Sequence, residues 1–131
     1  MSGFSDYWEN KVLDHIFGKG SYTPPTIYVG LSTTDPTDAG SGLAEPSDNG
    51  YTRVQTSTSD WNTASNGSLD NASDIAFNQA TGNWGTITHF ALFDAGTAGN
   101  ILAYGALSQS KSISESDTAR FKAGDLDISL D

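Results

Sequence analysis

The stretch GTITHFALFDAGTAGNILAYGAL, Gly85 to Leu107, decides the fold. Two apolar runs of strand composition, Ile87–Phe93 and Ile101–Leu107, flank a polar hinge, Asp94–Asn100, that holds Gly96 and Gly99. Gly-containing connections between such runs form β-hairpins with a longer loop. In the first run both alternating faces are apolar: Ile87, Ala91 and Phe93 on one, Phe90 and Leu92 on the other. Strands buried on both faces belong inside a layered protein, so this hairpin is expected to be its core.

Outward from the hairpin, the pattern is of short strands and turns. Toward the N-terminus, Thr26–Ser32 is a strand with Ile27, Val29 and Leu31 on one face, and Tyr51–Thr56 is another with Arg53 facing opposite Val54. Between them runs a long loop, Thr33–Asn49, and loops of that length in a compact domain tend to be functional or mobile. A second polar stretch, Ser57–Ser73, has Trp61 as its one anchor and Asn66–Gly67 as a turn. Ile75–Phe77 is a short strand, and Ala80–Asn83 turns into Trp84. Beyond the hairpin, Ser108–Asp117 is charged and hydroxyl-rich. The chain closes on a clear alternation, with Leu126, Ile128 and Leu130 expected inward and Asp125, Asp127, Ser129 and Asp131 outward.

One helix is expected, over Phe4–Phe17. Phe4, Trp8, Val12 and Ile16 recur every four residues, and Leu13 and Phe17 widen the stripe. Ser2 or Ser5 caps its start, and Gly18 or Gly20 ends it before Pro24 and Pro25. Such a helix either lids its own sheet or docks on a neighbouring subunit. The fold class is therefore mainly β: an antiparallel β-sandwich, jelly-roll-like, with one N-terminal amphipathic helix.

With 131 residues the chain is one domain, residues 1–131, able to bury roughly two-thirds of its unfolded surface. It has no cysteine, so neither disulfides nor thiolate metal sites hold it together. No secretory leader and no apolar run long enough for a membrane span is read in it. Six basic residues stand against 16 acidic ones, a net charge of −10, and the basic residues are scattered. Nucleic acid and anionic membranes, which need clustered cations, are not expected partners.

No catalytic constellation is legible. His89 lies inside the core strand, where a histidine bonded to a backbone carbonyl is expected, and His15 lies on the helix. There is no Gly-x-Ser-x-Gly elbow and no third residue to orient either imidazole. The two histidines lack His-x-x-x-His spacing, so no catalytic, metal or cofactor residues are assigned and no cofactor is expected. The loop carboxylates Asp35 with Asp38, and Asp70 with Asp74, have the chemistry for calcium but not the ordered spacing. Trp61, Trp84 and Tyr51 are candidates for stacking on a sugar.

The order of these features is distinctive. A helix leads to YTPPTIYVGLSTTDPT (Tyr22–Thr37) and a Gly-rich loop into GYTRV (Gly50–Val54); later come FNQATGNWGTITHFALFDA (Phe77–Ala95), ILAYGAL (Ile101–Leu107) and AGDL (Ala123–Leu126). Across nearly its full length the chain resembles a family of small tailed-bacteriophage virion proteins, labelled tail fibre or minor structural proteins. The resemblance implies a non-enzymatic late structural protein, made in the host cytoplasm without secretion and built into the virion. A compact acidic sandwich with two long loops, too small to make a fibre alone, fits an exterior position, tail-associated or as a capsid decoration protein. Virion components of this size are expected as homo-oligomers contacting other virion proteins. The alternative is a module that binds a host-surface glycan.

Overall fold

A computed structural model describes residues 2–130. Nine strands and one helix follow in the order β1 (Ser2–Phe4), α1 (Asp6–Ile16), β2 (Tyr28–Ser32), β3 (Val54–Gln55), β4 (Ser68–Asp70), β5 (Ile75–Ala76), β6 (Gly85–Phe93), β7 (Ile101–Ile113), β8 (Arg120–Phe121) and β9 (Asp127–Ser129). One five-stranded antiparallel sheet, in the order β1-β7-β6-β2-β3, faces two small ladders, β4-β9 and β5-β8. The mainly β, antiparallel architecture with one N-terminal helix is the one expected.

The hairpin β6–β7 sits at the middle of the large sheet, and Ile87, Phe90, Ala91, Leu92 and Phe93 are all buried. Val29 and Leu31 of β2, Leu102 of β7, and Leu126 and Ile128 around β9 complete one side of the core. An aromatic cluster fills its far end: Trp84 meets Tyr51 edge-on at 5.3 Å, and Phe77 packs against Trp84 and Phe121. The hinge closes through Asp94, which accepts hydrogen bonds from the backbone and side-chain amides of Asn100 at 2.8 and 2.9 Å.

The other side of the hairpin is covered by the long loop 33–49, which is irregular as expected but folded back on itself. Gly42 donates to the Pro36 carbonyl at 2.9 Å, and Thr33 donates to the Ala44 carbonyl at 3.0 Å. A Cβ on Gly42 would stand 2.1 Å from the Asp35 carbonyl oxygen, so only glycine permits this closure. The stretch 57–73, a polar loop by composition, is more structured. A single 3₁₀ turn, Thr58–Asp60, leads through Trp61 and the Asn66–Gly67 turn into β4.

Four expectations need correction. β7 runs on through the hydroxyl-rich segment to Ile113, which is buried. Its composition hides this because Leu107–Ser110 bulge out opposite the single residue Thr88 before pairing resumes. Phe4 belongs to β1, paired with Ala103, and the helix begins only after it. Leu130, expected inward, is 60 % exposed, because the β4-β9 ladder ends at Ser129. His89 is only half-buried, and its Nδ1 pairs with the Thr88 hydroxyl at 2.8 Å instead of a carbonyl. Asp131, expected outward, lies outside the described residues.

Candidate functional site

Polar chemistry on this molecule is spent internally. His15 accepts from the Tyr22 backbone amide at 3.2 Å, on a different element from His89, so the two imidazoles share no hydrogen-bonded constellation. Asp35 accepts from the Thr37 amide at 3.0 Å, and Asp38 accepts from the Tyr104 hydroxyl. Asp70 is bonded to Asn62 at 2.7 Å, while Asp74 accepts from the Ala123 amide at 3.0 Å and faces Arg120. Among the described residues no three His, Asp or Glu side chains converge as a metal would require. Asp60 accepts from Ser73 and from the backbone and hydroxyl of Ser57, hydrogen bonds that hold its pKa below the ordinary 3.8.

The densest polar network lies where loop 33–49, the segment before β3 and the hairpin hinge meet. The Arg53 guanidinium grips the Glu45 carboxylate with two bonds, 2.9 and 2.7 Å, and donates to the Ala95 and Ala98 carbonyls at 2.8 Å each. It lies flat on Phe93, 3.4 Å from the ring centroid. Tyr51 donates to Glu45 at 2.6 Å and accepts from the Leu31 amide at 3.0 Å. Burial and the Glu45 carboxylate push the Tyr51 hydroxyl far above its ordinary pKa of 10.0. Four of the five guanidinium N–H donors of Arg53 face internal acceptors, which makes it a clamp on three segments.

The sugar-stacking candidates part company here. Trp84 is 4 % exposed and its indole donates to the Asn49 carbonyl at 2.9 Å, so it is a core residue. Tyr51 belongs to the clamp. Trp61 is half-buried, its indole held by Thr56 at 3.0 Å, with part of the ring facing outward.

Trp61 forms one wall of an apolar groove of about 330 Å³. Leu69, Ile128 and Leu130 continue that wall, Ile27 and Leu92 line the groove from the sheet, and Phe4, Trp8 and Val12 form the opposite side. Apolar side chains dominate the lining, with Ser68 its one hydroxyl. The helix wall is set by Ser5, which is wholly buried: its hydroxyl donates to the Ile101 carbonyl at 2.6 Å and accepts from the Trp8 amide at 3.3 Å. Phe4 and Trp8 then pack ring against ring, tilted by 34° with centroids 4.4 Å apart.

Past Val12 the same helix leaves the body of the protein. Leu13, Ile16 and Phe17 are 56, 70 and 73 % exposed, and Gly18 ends the helix with φ +72°. The helix thus lids its own sheet with its first half and offers its second half to solvent. The surplus apolar stripe was legible in the sequence. The groove was not, since it gathers residues from five separate segments.

A protruding apolar helix end beside an apolar groove suits contact with another macromolecule better than chemistry on a small one. No curated protein matches the chain. Residues 3–129, however, match the model of a family described as podophage GP4 fiber I protein gp80. With the match running almost from end to end, the chain belongs to that family of phage fibre structural proteins.

Proposed function

We propose that this protein is a non-enzymatic structural subunit on the exterior of a tailed-phage particle, carried with the tail and held in place by contacts with other virion proteins. The observation that carries the reading is the end-to-end match to a fibre protein family. Two features support it. The side chains that would be recruited for catalysis are committed to internal hydrogen bonds, and the end of α1 exposes Leu13, Ile16 and the following Phe17 beside its polar residues, where a free monomer would place polar groups.

A glycan-binding role is less well supported. Sugars are bound by aromatic faces together with polar groups for their hydroxyls, and the groove beside Trp61 supplies aromatic faces but few polar groups. Localisation tests the proposal. Gold-labelled antibody against the protein should decorate purified virions at the tail, in repeated copies. Label on the head alone would move the subunit to a decoration role, and particles free of label would overturn the proposal.

A further inference from the structure

Two Asn-Gly dipeptides occur in the chain, Asn49–Gly50 and Asn66–Gly67. Both hold the asparagine in the left-handed region, at φ 59° and 55°, followed by glycine at 82° and 76°. In such a dipeptide the glycine nitrogen has no Cβ beside it to shield it from the asparagine carboxamide. What differs is how firmly the fold holds each pair.

Asn49 is held through both its side chain and its backbone. Its Nδ2 donates to the Asn83 carbonyl at 2.8 Å, and its own carbonyl accepts from the Thr81 amide at 3.0 Å and from the buried Trp84 indole at 2.9 Å. The peptide plane that joins it to Gly50 is therefore pinned. A Cβ on Gly82 would lie 2.7 Å from the Asn49 carboxamide carbon, so this side chain is packed as well as bonded. Asn66 has none of these restraints. It is exposed, and among the described residues nothing bonds its carboxamide, its carbonyl or the Gly67 amide. Beyond its chain neighbours, no atom lies within 4 Å of where a Cβ on Gly67 would stand. The turn is closed only from outside that peptide, by Ser65 and Ser68, which bond each other's backbone at 2.8 and 3.1 Å.

We propose that Asn66 is a site of spontaneous covalent modification, where asparagine converts to aspartate and isoaspartate. The Gly67 amide nitrogen gives its proton to a solvent base and attacks the Asn66 carboxamide carbon. A carbon–nitrogen bond forms between them, the bond to Nδ2 breaks, and Nδ2 takes a proton from water and leaves as ammonia. Water then adds to either carbonyl of the succinimide ring and opens it. One opening gives aspartate; the other gives isoaspartate, whose backbone runs through the side-chain carbon and is longer by an atom. Either product adds a negative charge to a chain already at −10. A two-residue turn has no slack for an extra backbone atom. The isoaspartyl form therefore breaks the Ser65–Ser68 pairing and withdraws the Gly67 carbonyl from the Leu130 amide, which donates to it at 3.1 Å. Because β4 begins at Ser68, opposite Ser129, the β4-β9 ladder is loosened at its turn. The aspartyl form keeps the turn, since aspartate tolerates the left-handed region as asparagine does. The reaction needs only water, so it does not depend on the chain being a virion subunit.

The test incubates the full chain at mildly alkaline pH, folded and, in parallel, unfolded in urea. Products are mapped by peptide mass spectrometry and isoaspartyl methylation. In the folded chain Asn66 should convert at least about tenfold faster than Asn49, whose hydrogen bonds must break first. In urea the two should convert at similar rates, since each is followed by glycine. A folded chain in which both convert alike, or in which Asn66 stays intact while the unfolded chain converts, would overturn the proposal. Hydrogen exchange checks the consequence for the ladder. The isoaspartyl form should lose protection at the Ser68 and Leu130 amides, and freshly prepared Asn66→Asp should retain it. Unchanged protection in the isoaspartyl form would overturn the loosening of the ladder.

Discussion

Gly30 carries no side chain because three groups already occupy the space where one would begin. A Cβ there would stand 2.8 Å from Phe93, 2.9 Å from the Tyr51 hydroxyl and 3.0 Å from the Glu45 carboxylate. Gly30→Ala should therefore cost about 1–3 kcal/mol in urea unfolding, the usual range for overpacking. Glu45→Gln leaves the Arg53 charge buried without its partner and should cost about 3 kcal/mol. Adding Arg53→Met to Glu45→Gln should be milder than Glu45→Gln alone, since no unpaired charge then remains. Tyr51 gives this cluster a pH signature. Its folded-state pKa is raised above the 10.0 of a free phenol, so its contribution is whole below pH 10 and drains as pH rises from there. The stability gap between the unaltered protein and Tyr51→Phe should accordingly hold steady up to about pH 10 and narrow above it, measured by urea unfolding at each pH. A gap that stays constant would mean that the phenol does not titrate with unfolding. Strand alternation in the sequence already turned Arg53 away from the core side of Val54. Its partner Glu45 was illegible, because the path of an irregular loop follows from closures such as Gly42 against Asp35 and not from any period.

Helix α1 divides at Val12, and its two halves should respond differently to substitution. Ser5→Ala removes both the cap and the bond to the Ile101 carbonyl, and should cost about 1–2 kcal/mol. Trp8→Ala should cost about 3 kcal/mol or more, whereas Ile16→Ala should fall within about 0.5 kcal/mol of the unaltered protein. Urea denaturation of the three variants checks the division, and a costly Ile16→Ala would place the helix end against the body of the protein. Elements with strong periods were readable in advance: the helix by its four-residue stripe, the hairpin by its apolar runs, and the inward Leu126 and Ile128 by alternation. Short pairings were not. β1 spans three residues, and what makes it a strand is Ala103–Gly105 lying beside it. The ladders β4-β9 and β5-β8 likewise depend on partners more than 40 residues away, which local composition does not encode.

The two ends of the molecule meet. Ser2 in β1 donates to the Asp127 carbonyl in β9, and buried Asn71 secures the segment before β9 through bonds to the Leu126 amide at 2.9 Å and the Lys122 carbonyl at 2.9 Å. Closing the fold from such distant parts of the chain makes it a slow folder for its size. It also makes the last strand indispensable. Removing residues 125–131 takes away Leu126 and Ile128, each worth about 2–5 kcal/mol, from a total of about 5–15. The shortened chain should lose its cooperative melt, followed by circular dichroism; a sharp transition would show that the large sheet stands alone. The bulge at Leu107–Ser110 has a consequence at this scale too. Beyond Gly105 no β1 residue covers the outer side of β7, which would otherwise be a straight template for a stranger's backbone. Four residues pushed out of line, followed by Lys111, spoil that template, and β3 at the opposite margin is only two residues long. Copies brought to high local concentration can therefore press side against side without being drawn into runaway strand exchange and fibrillation.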